Sequence, residues 1–104
     1  MSEKTIESIN VKRLDILNES GEADSSLMPS LSDNDIRKMH ELLILSRIFD
    51  ERALNLQREG RIGTYAPILG QEASQIGSAY ALEKSDWIFP SFREIGVYIA
   101  LGYP

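Results

Sequence analysis

Arg93 is the residue of this sequence whose type and position most favour ligand chemistry. It follows a short apolar run at residues 87–89, and the sequence predicts that a helix begins close to it. Open α/β sheets bind their ligands where a strand gives way to a helix, and there backbone N–H groups and a guanidinium can converge on a phosphate. The alternative is that Arg93 is a surface arginine paired with Glu94 or Asp86.

A second group of chemically useful residues lies in and after a loop. Pro67 interrupts residues 61–69, where Tyr65 either lines a pocket or is a core aromatic with a solvated hydroxyl. Gln71 and Glu72 then open a helix. An acidic residue at this end interacts favourably with the positive end of the helix dipole and stabilises the helix. The sequence has no paired-glycine phosphate loop, no metal-ligand cluster and no nucleophile elbow. These spacings alone therefore predict one edge of a binding site.

The helix that must position this loop comes before it. Ser32 is suited to the N-cap, Asp35 completes a capping box in place of the usual glutamate, and Gly60 is suited to the C-terminal cap. Apolar residues at three- and four-residue spacing predict one buried stripe: Met39, Leu42, Leu45, Phe49, Ala53 and Leu56. Further apolar residues lie off this stripe and predict a second buried contact, which suggests a partner missing from this chain: Leu43, Ile44 and Ile48.

Two more helices and one strand are predicted after the loop. A helix with a small-residue face begins near residue 70 or 71 and runs to about residue 82 or 83. The apolar run at residues 87–89 predicts a short buried strand. Ser91 is suited to cap a last helix over residues 92–101, which Gly102 ends.

Composition restricts the class of protein. The chain has 104 residues, is 42% hydrophobic and 26% charged, and contains no cysteine for disulfides, thiolate catalysis or metal ligation. Its net charge of −5 disfavours binding to nucleic acid through phosphate neutralisation. No stretch approaches the ~20 apolar residues that a membrane span requires. We therefore expect a cytoplasmic protein with neither nucleic acid nor membrane as its partner.

Residues 1–32 differ in character from the rest of the chain. They carry three basic and six acidic side chains, whereas residues 33–104 carry eight basic and ten acidic ones. The polar, acidic stretch at residues 18–26 cannot bury enough apolar surface to offset the entropy lost on ordering. We expect a flexible N-terminal tail over residues 1–32 and a folded region over residues 33–104.

Four segments, at residues 45–53, 57–63, 70–73 and 90–94, resemble the alpha subunit of the thiamine-diphosphate-dependent 2-oxoacid dehydrogenases. That family includes pyruvate, branched-chain 2-oxoacid and acetoin dehydrogenases. The four segments occur in the same order as in the family, and the resemblance covers residues 33–104. The segment before them shows no such match. It implies a doubly wound α/β thiamine-diphosphate-binding fold in the complete subunit, of which this chain is the N-terminal, mainly helical part. It also implies oxidative decarboxylation of a 2-oxoacid with acyl transfer to lipoamide.

The resemblance assigns roles to four residues. Arg93 matches the arginine that holds the cofactor diphosphate, and Phe92 occupies the position where many members carry a tyrosine that assists it. Tyr65 and Leu69 match a loop near the substrate end of the cofactor. The resemblance also implies three partners: a beta subunit, a second alpha subunit and a lipoyl-bearing transacylase.

Two departures from the family pattern bear on activity. The family's Gly-Asp-Gly motif, with the asparagine that follows it, holds magnesium and the diphosphate, and nothing in this chain matches it. Some members have a histidine where this chain has Ile95. In this family the carboxylate that activates the aminopyrimidine ring of the cofactor belongs to the beta chain. We therefore expect one side of a two-chain site, with no catalytic residue and no metal ligand here and no activity alone. The alternative is a non-catalytic helical interaction module or a decayed fragment.

Overall fold

The computed structural model describes residues 3–103. The chain forms two compact units, and the boundary between them follows residue 30. The first unit contains no helix in its described residues, and its one β-bridge pairs Leu17 with Ala23. The Asn18 carboxamide oxygen accepts bonds from the backbone N–H groups of Ser20 and Glu22 and so stabilises the turn between the bridged residues. The side chains of this unit are exposed.

The second unit consists of three helices, each in contact with the other two. They are α1 (Asp33–Arg58), α2 (Glu72–Tyr80) and α3 (Ile95–Leu101). Its buried hydrophobic core is small and comprises Leu42, Ala53, Ile68, Ile76 and Ala79. None of these helices combines the length and the apolarity that crossing a bilayer requires.

Both predicted caps of α1 are confirmed. The Ser32 hydroxyl accepts the backbone N–H of Asp35, and the Asp35 carboxylate accepts the backbone N–H of Ser32. At the other end Gly60 adopts a left-handed φ of 71°, and the N–H of Arg61 donates to the carbonyl of Leu56. This pair of features forms a Schellman motif, which satisfies carbonyls that the end of a helix leaves unpaired.

The buried face of α1 is more polar than the apolar stripe predicted. Its buried residues are Leu42, Ser46, Asp50 and Ala53. Leu45 and Phe49, which the stripe places in the core, are 51% and 41% exposed, so the prediction is wrong for them. Ile44 and Ile48, which lie off the stripe, are exposed within the described chain, so the second contact predicted for them, with a missing partner, stays a prediction. Periodicity locates apolar faces but does not reveal which polar side chains find buried partners.

The later helices start and stop close to the predicted positions, but both are shorter than predicted. Helix α2 begins at Glu72 and ends at Tyr80, two or three residues before the predicted end. Helix α3 begins at residue 95, three residues after its predicted start, and Ser91 does not cap it. The carboxylate of Glu94 instead accepts the N–H groups of Ser91 and Arg93, which satisfies these donors in a bend. Gly102 ends α3 with a φ of 74°, as predicted.

The strand predicted at residues 87–89 is wrong. The structure has no strand in residues 3–103, and Trp87 and Phe89 are 84% and 89% exposed. A strand requires a neighbour with which to exchange backbone hydrogen bonds, and no other extended segment of the described chain lies alongside this one. The described chain is thus mainly helical, and a doubly wound α/β sheet is not observed in it.

Ser46 provides a test of the core. Its side chain is fully buried, and its hydroxyl has no hydrogen-bond partner among the described residues. Ser46→Ala removes an unsatisfied polar group and raises helix propensity, so we expect the free energy of unfolding to rise by about 1 kcal/mol. Urea denaturation measures this change. The control is Ser78→Ala, which deletes an exposed hydroxyl bonded to the Ser74 carbonyl and should give a smaller gain.

Candidate functional site

The loop at residues 61–69 is held in place by side chains of α1. The backbone N–H of Tyr65 donates to the side-chain oxygen of Gln57. One carboxylate oxygen of Asp50 accepts two further bonds, from the Tyr65 hydroxyl at 2.7 Å and from the backbone N–H of Ile68 at 2.7 Å. Because the loop lacks helical and strand hydrogen bonds, these α1 side chains determine its path.

Asp50 is a buried carboxylate, with 3% of its surface exposed. A charge at that depth is costly unless it is hydrogen-bonded, and the two donors of the loop meet this requirement. Burial, and then the bond to Asp50, raises the pKa of the Tyr65 hydroxyl well above its ordinary value. Tyr65 therefore remains protonated, and remains a donor to Asp50, throughout the neutral pH range.

The predicted pocket residues Tyr65 and Leu69 lie in different surroundings. Tyr65 is half-buried, and its ring packs edge-on against Phe49 with the ring centroids 6.3 Å apart. Ile68 is fully buried and anchors the loop, whereas Leu69 is 64% exposed. Tyr65 is thus a fixed aromatic surface whose hydroxyl is already engaged, and Leu69 is an apolar side chain open to a ligand.

The guanidinium of Arg93 contacts this loop. Its Nη1 donates to the carbonyl oxygen of Pro67 at 2.7 Å, and its Cζ lies 5.3 Å from the centroid of the Phe92 ring, in a cation–π arrangement. The alternative pairings do not form: Glu94 accepts backbone N–H groups, and Asp86 accepts the N–H of Glu83. Within residues 3–103, no carboxylate lies within salt-bridge distance of Arg93.

The backbone at Arg93 is held by α2. The side-chain amide of Gln75 donates from Nε2 to the Arg93 carbonyl at 2.7 Å, and its Oε1 accepts the N–H of Gly96 at 2.9 Å. Gln75 is itself buried, so both ends of the amide are satisfied inside the protein. Arg93 is consequently fixed twice, through its backbone by α2 and through its guanidinium by the loop.

Two polar contacts join α1 to α2. Nε of Arg47 donates to the Glu72 carboxylate at 2.5 Å, and the Tyr80 hydroxyl donates to Asp35 at 2.7 Å. Because α2 begins beside the middle of α1 and ends beside its start, the two helices run antiparallel. Glu72 was expected to act on the helix dipole, and it does lie in the first turn of α2. The structure adds an ion pair between the buried Glu72 carboxylate and the partly exposed Arg47, and the Arg47 bond lowers the pKa of the Glu72 carboxyl below its usual range.

The sequence interpretation missed three residues that shape this site: Asp50, Gln57 and Gln75. A signal was present for Asp50, which is spaced four residues after Ser46 and three before Ala53 on one face of α1. No comparable signal exists for the two glutamines, whose partners are backbone groups distant in sequence. No group of three or more His, Asp and Glu side chains in the described chain is arranged to hold a metal ion.

Comparison with known proteins decides the family. The family model described as "Dehydrogenase E1 component" matches residues 40–104, more than half of the chain. The chain belongs to the dehydrogenase E1 component family. It is 42% identical to the pyruvate dehydrogenase E1 component subunit alpha of Bacillus subtilis (strain 168) over 90 residues, 86% of this chain and 24% of that protein. It is 44% identical to the Staphylococcus aureus (strain Mu50) protein of the same name over 90 residues, 86% of this chain and 24% of that one.

These E1 relatives extend the resemblance in one respect. A match over 86% of the chain is longer than residues 33–104, so it also includes residues before Asp33. The expectation that the first 32 residues carry no match is therefore wrong. The chain spans about a quarter of the length of the relatives it matches. No solved structure matches it.

Gly96 tests the contact between α2 and the backbone of Arg93. A Cβ atom at this position would lie 2.7 Å from Oε1 and 3.2 Å from Cβ of Gln75, so Gly96→Ala must displace the amide that holds the Arg93 carbonyl. We expect a loss of about 1–3 kcal/mol in the free energy of unfolding. The matched control is Gly77→Ala in α2, where a Cβ meets nothing in the described chain and alanine should stabilise the helix by about 1 kcal/mol. Equal effects of the two variants would contradict the clash.

The ion pair of Glu72 predicts a dependence of stability on pH. Because its folded pKa is lowered, the pair contributes fully above the ordinary carboxyl pKa of 4.5 and is lost as pH falls through the lower folded value. We expect wild type to be more stable than Glu72→Gln above pH 5, and the difference to shrink as pH falls below 4.5. Thermal unfolding from pH 6 to pH 3 measures it. A difference that stays constant over this range would show that Glu72 is not stabilised in its charged form.

Proposed function

We propose that this chain forms one wall of a thiamine diphosphate site in a 2-oxoacid dehydrogenase, in the role of the alpha subunit. The single observation that carries the proposal is the guanidinium of Arg93, a charge that no carboxylate in residues 3–103 neutralises, placed next to the loop of Tyr65 and Leu69. The names of the relatives, pyruvate dehydrogenase E1 component subunit alpha, support the same role and favour pyruvate as the 2-oxoacid.

The residues present fit a diphosphate. A guanidinium has five N–H donors in a fixed planar arrangement, and within the described chain Arg93 uses one side of it, to the carbonyl of Pro67. The remaining donors suit phosphate oxygens. Phe92 flanks the guanidinium with its ring but has no hydroxyl, so it contributes packing and not a hydrogen bond to the anion.

Each of the other proposed residues has one task at this site. Thiamine diphosphate, when bound, supplies the nucleophilic carbon and the electron sink with which a 2-oxoacid loses carbon dioxide. Tyr65 offers the substrate a rigid aromatic wall, because its hydroxyl is held by Asp50. Leu69 offers an exposed apolar side chain that can exclude water from the substrate. We assign no catalytic acid or base to this chain, and we assign the magnesium ligands to residues outside it.

The proposed complete protein acts in an assembly. We propose a beta subunit, a second alpha subunit and a lipoyl-bearing transacylase as partners, a cytoplasmic location, and a doubly wound α/β fold for the complete subunit. The surface of the helical unit supports an assembled state, because apolar clefts of about 330 and 260 Å³ open on either side of α2. Such clefts can accept apolar side chains of a partner subunit.

Arg93→Gln tests the proposal. In the protein encoded by the complete gene, co-expressed with its beta chain, we expect the substitution to weaken magnesium-dependent binding of thiamine diphosphate roughly 10- to 100-fold. That is the scale of a hydrogen bond to a charged group. Calorimetric titration measures the affinity. The control is Arg37→Gln, which removes an exposed arginine of α1 and the same charge without touching the site.

Two outcomes would count against the proposal. Unchanged affinity in Arg93→Gln would exclude the role of Arg93 at the diphosphate. Absence of thiamine diphosphate binding in the wild-type assembly would favour the alternative, a non-catalytic helical interaction module.

A further inference from the structure

One peptide group connects α1 with Arg93. The peptide bond between Pro67 and Ile68 is trans. Its N–H, on Ile68, donates to the carboxylate of Asp50 at 2.7 Å. Its carbonyl oxygen, on Pro67, accepts Nη1 of Arg93 at 2.7 Å. A negative and a positive side chain thus bind opposite ends of the same peptide plane.

This arrangement is electrostatically cooperative. In a trans peptide the N–H and the C=O point in opposite directions, so an anion at the N–H and a cation at the C=O both stabilise the peptide dipole. Each bond polarises the group and strengthens the other, and burial of Asp50 increases the effect because less water screens the charge. Both bonds are charge-assisted and are therefore stronger than bonds between neutral groups.

We propose that Asp50 is a positioning residue for Arg93 and acts through the Pro67–Ile68 peptide. Asp50 fixes the direction of that peptide from the rigid helix α1, and the Pro67 carbonyl then fixes one edge of the guanidinium. The opposite edge is left to face the ligand. The effect of this arrangement on thiamine diphosphate binding rests on the function proposed above. The coupling between Asp50 and Arg93 is independent of that function.

The chain offers a matched control for this proposal. Asp50→Asn retains the shape of the side chain but removes the charge that binds the Ile68 N–H. Glu72→Gln removes the charge of another buried carboxylate, which binds Arg47 and makes no bond to the Pro67–Ile68 peptide. Tyr65→Phe removes the second donor to Asp50 and leaves both hydrogen bonds of the Pro67–Ile68 peptide in place. General loss of stability affects all three variants, whereas loss of positioning is specific to Asp50→Asn.

The coupling is measured by nuclear magnetic resonance on the protein with isotope-labelled arginine and without cofactor. We expect Asp50→Asn to move the side-chain resonance of Arg93 and to speed hydrogen exchange of the Ile68 amide by about tenfold. Glu72→Gln and Tyr65→Phe should leave the Arg93 resonance close to its wild-type position. An unmoved Arg93 resonance in Asp50→Asn, or an equal movement in Glu72→Gln or Tyr65→Phe, overturns the proposal.

A reciprocal measurement covers the case in which Asp50→Asn does not fold. Arg93→Gln changes an exposed side chain and should accelerate exchange of the Ile68 amide, because the carbonyl of the same peptide loses its cation. Unaltered exchange overturns the proposal.

Titration of the assembly formed from the complete gene product with thiamine diphosphate separates the two proposals. We expect the affinity to fall about tenfold in Asp50→Asn and to stay unchanged in Glu72→Gln. An unchanged affinity in Asp50→Asn overturns the positioning role of Asp50. If the wild-type assembly does not bind thiamine diphosphate, the proposed function is overturned. The coupling between Asp50 and Arg93 is then judged by the resonance and exchange measurements made without cofactor.

Discussion

The buried carboxylate of Asp50 is the constraint on which the site depends. A charge with 3% of its surface exposed requires donors, and α1 cannot provide them because its own N–H groups are used within the helix. The loop provides them, from the Tyr65 hydroxyl and the Ile68 N–H, and is thereby brought against the helix. Ile68 becomes fully buried as a consequence, and the preceding carbonyl faces Arg93. The need to satisfy one polar group thus determines the path of a segment that has no regular structure.

Both polar side chains and apolar contacts hold the helical unit together. Its buried hydrophobic residues are few, and the hydrogen-bonded side chains of Asp50, Glu72 and Gln75 are buried alongside them. At the same time many large apolar side chains are exposed, including Trp87, Phe89 and Phe92. Folded monomers of this size usually bury such residues. The polar contacts therefore give the unit its specific geometry, while its exposed apolar surface fits the proposed association with other subunits.

The sequence predicted those features that depend on neighbouring residues. The capping box at Ser32 and Asp35, the glycines that end α1 and α3, and the approximate extent of α2 all follow from local backbone chemistry. The features that were wrong or missed depend on distant partners. Residues 87–89 have strand-like composition, but no neighbouring strand lies beside them in the described chain. The buried face of α1 includes Asp50 because of a loop 15–18 residues away, and the backbone of Arg93 is held by Gln75, 18 residues earlier. Periodicity contains no information about such pairings.

The order of contacts along α1 has a consequence for folding. From the end of α1 back towards its start, Gln57 binds a residue 8 positions later, Asp50 one 18 positions later, Arg47 one 25 later and Asp35 one 45 later. Each contact encloses the one before it. Once the innermost pair has formed, every following pair needs to close only a short additional length of chain, so the entropic cost of the widest separation is met in small steps. This nested order allows the helical unit to fold from the loop outwards, with contacts forming in order of increasing sequence separation. Such a route is typical of fast-folding proteins with predominantly local contacts.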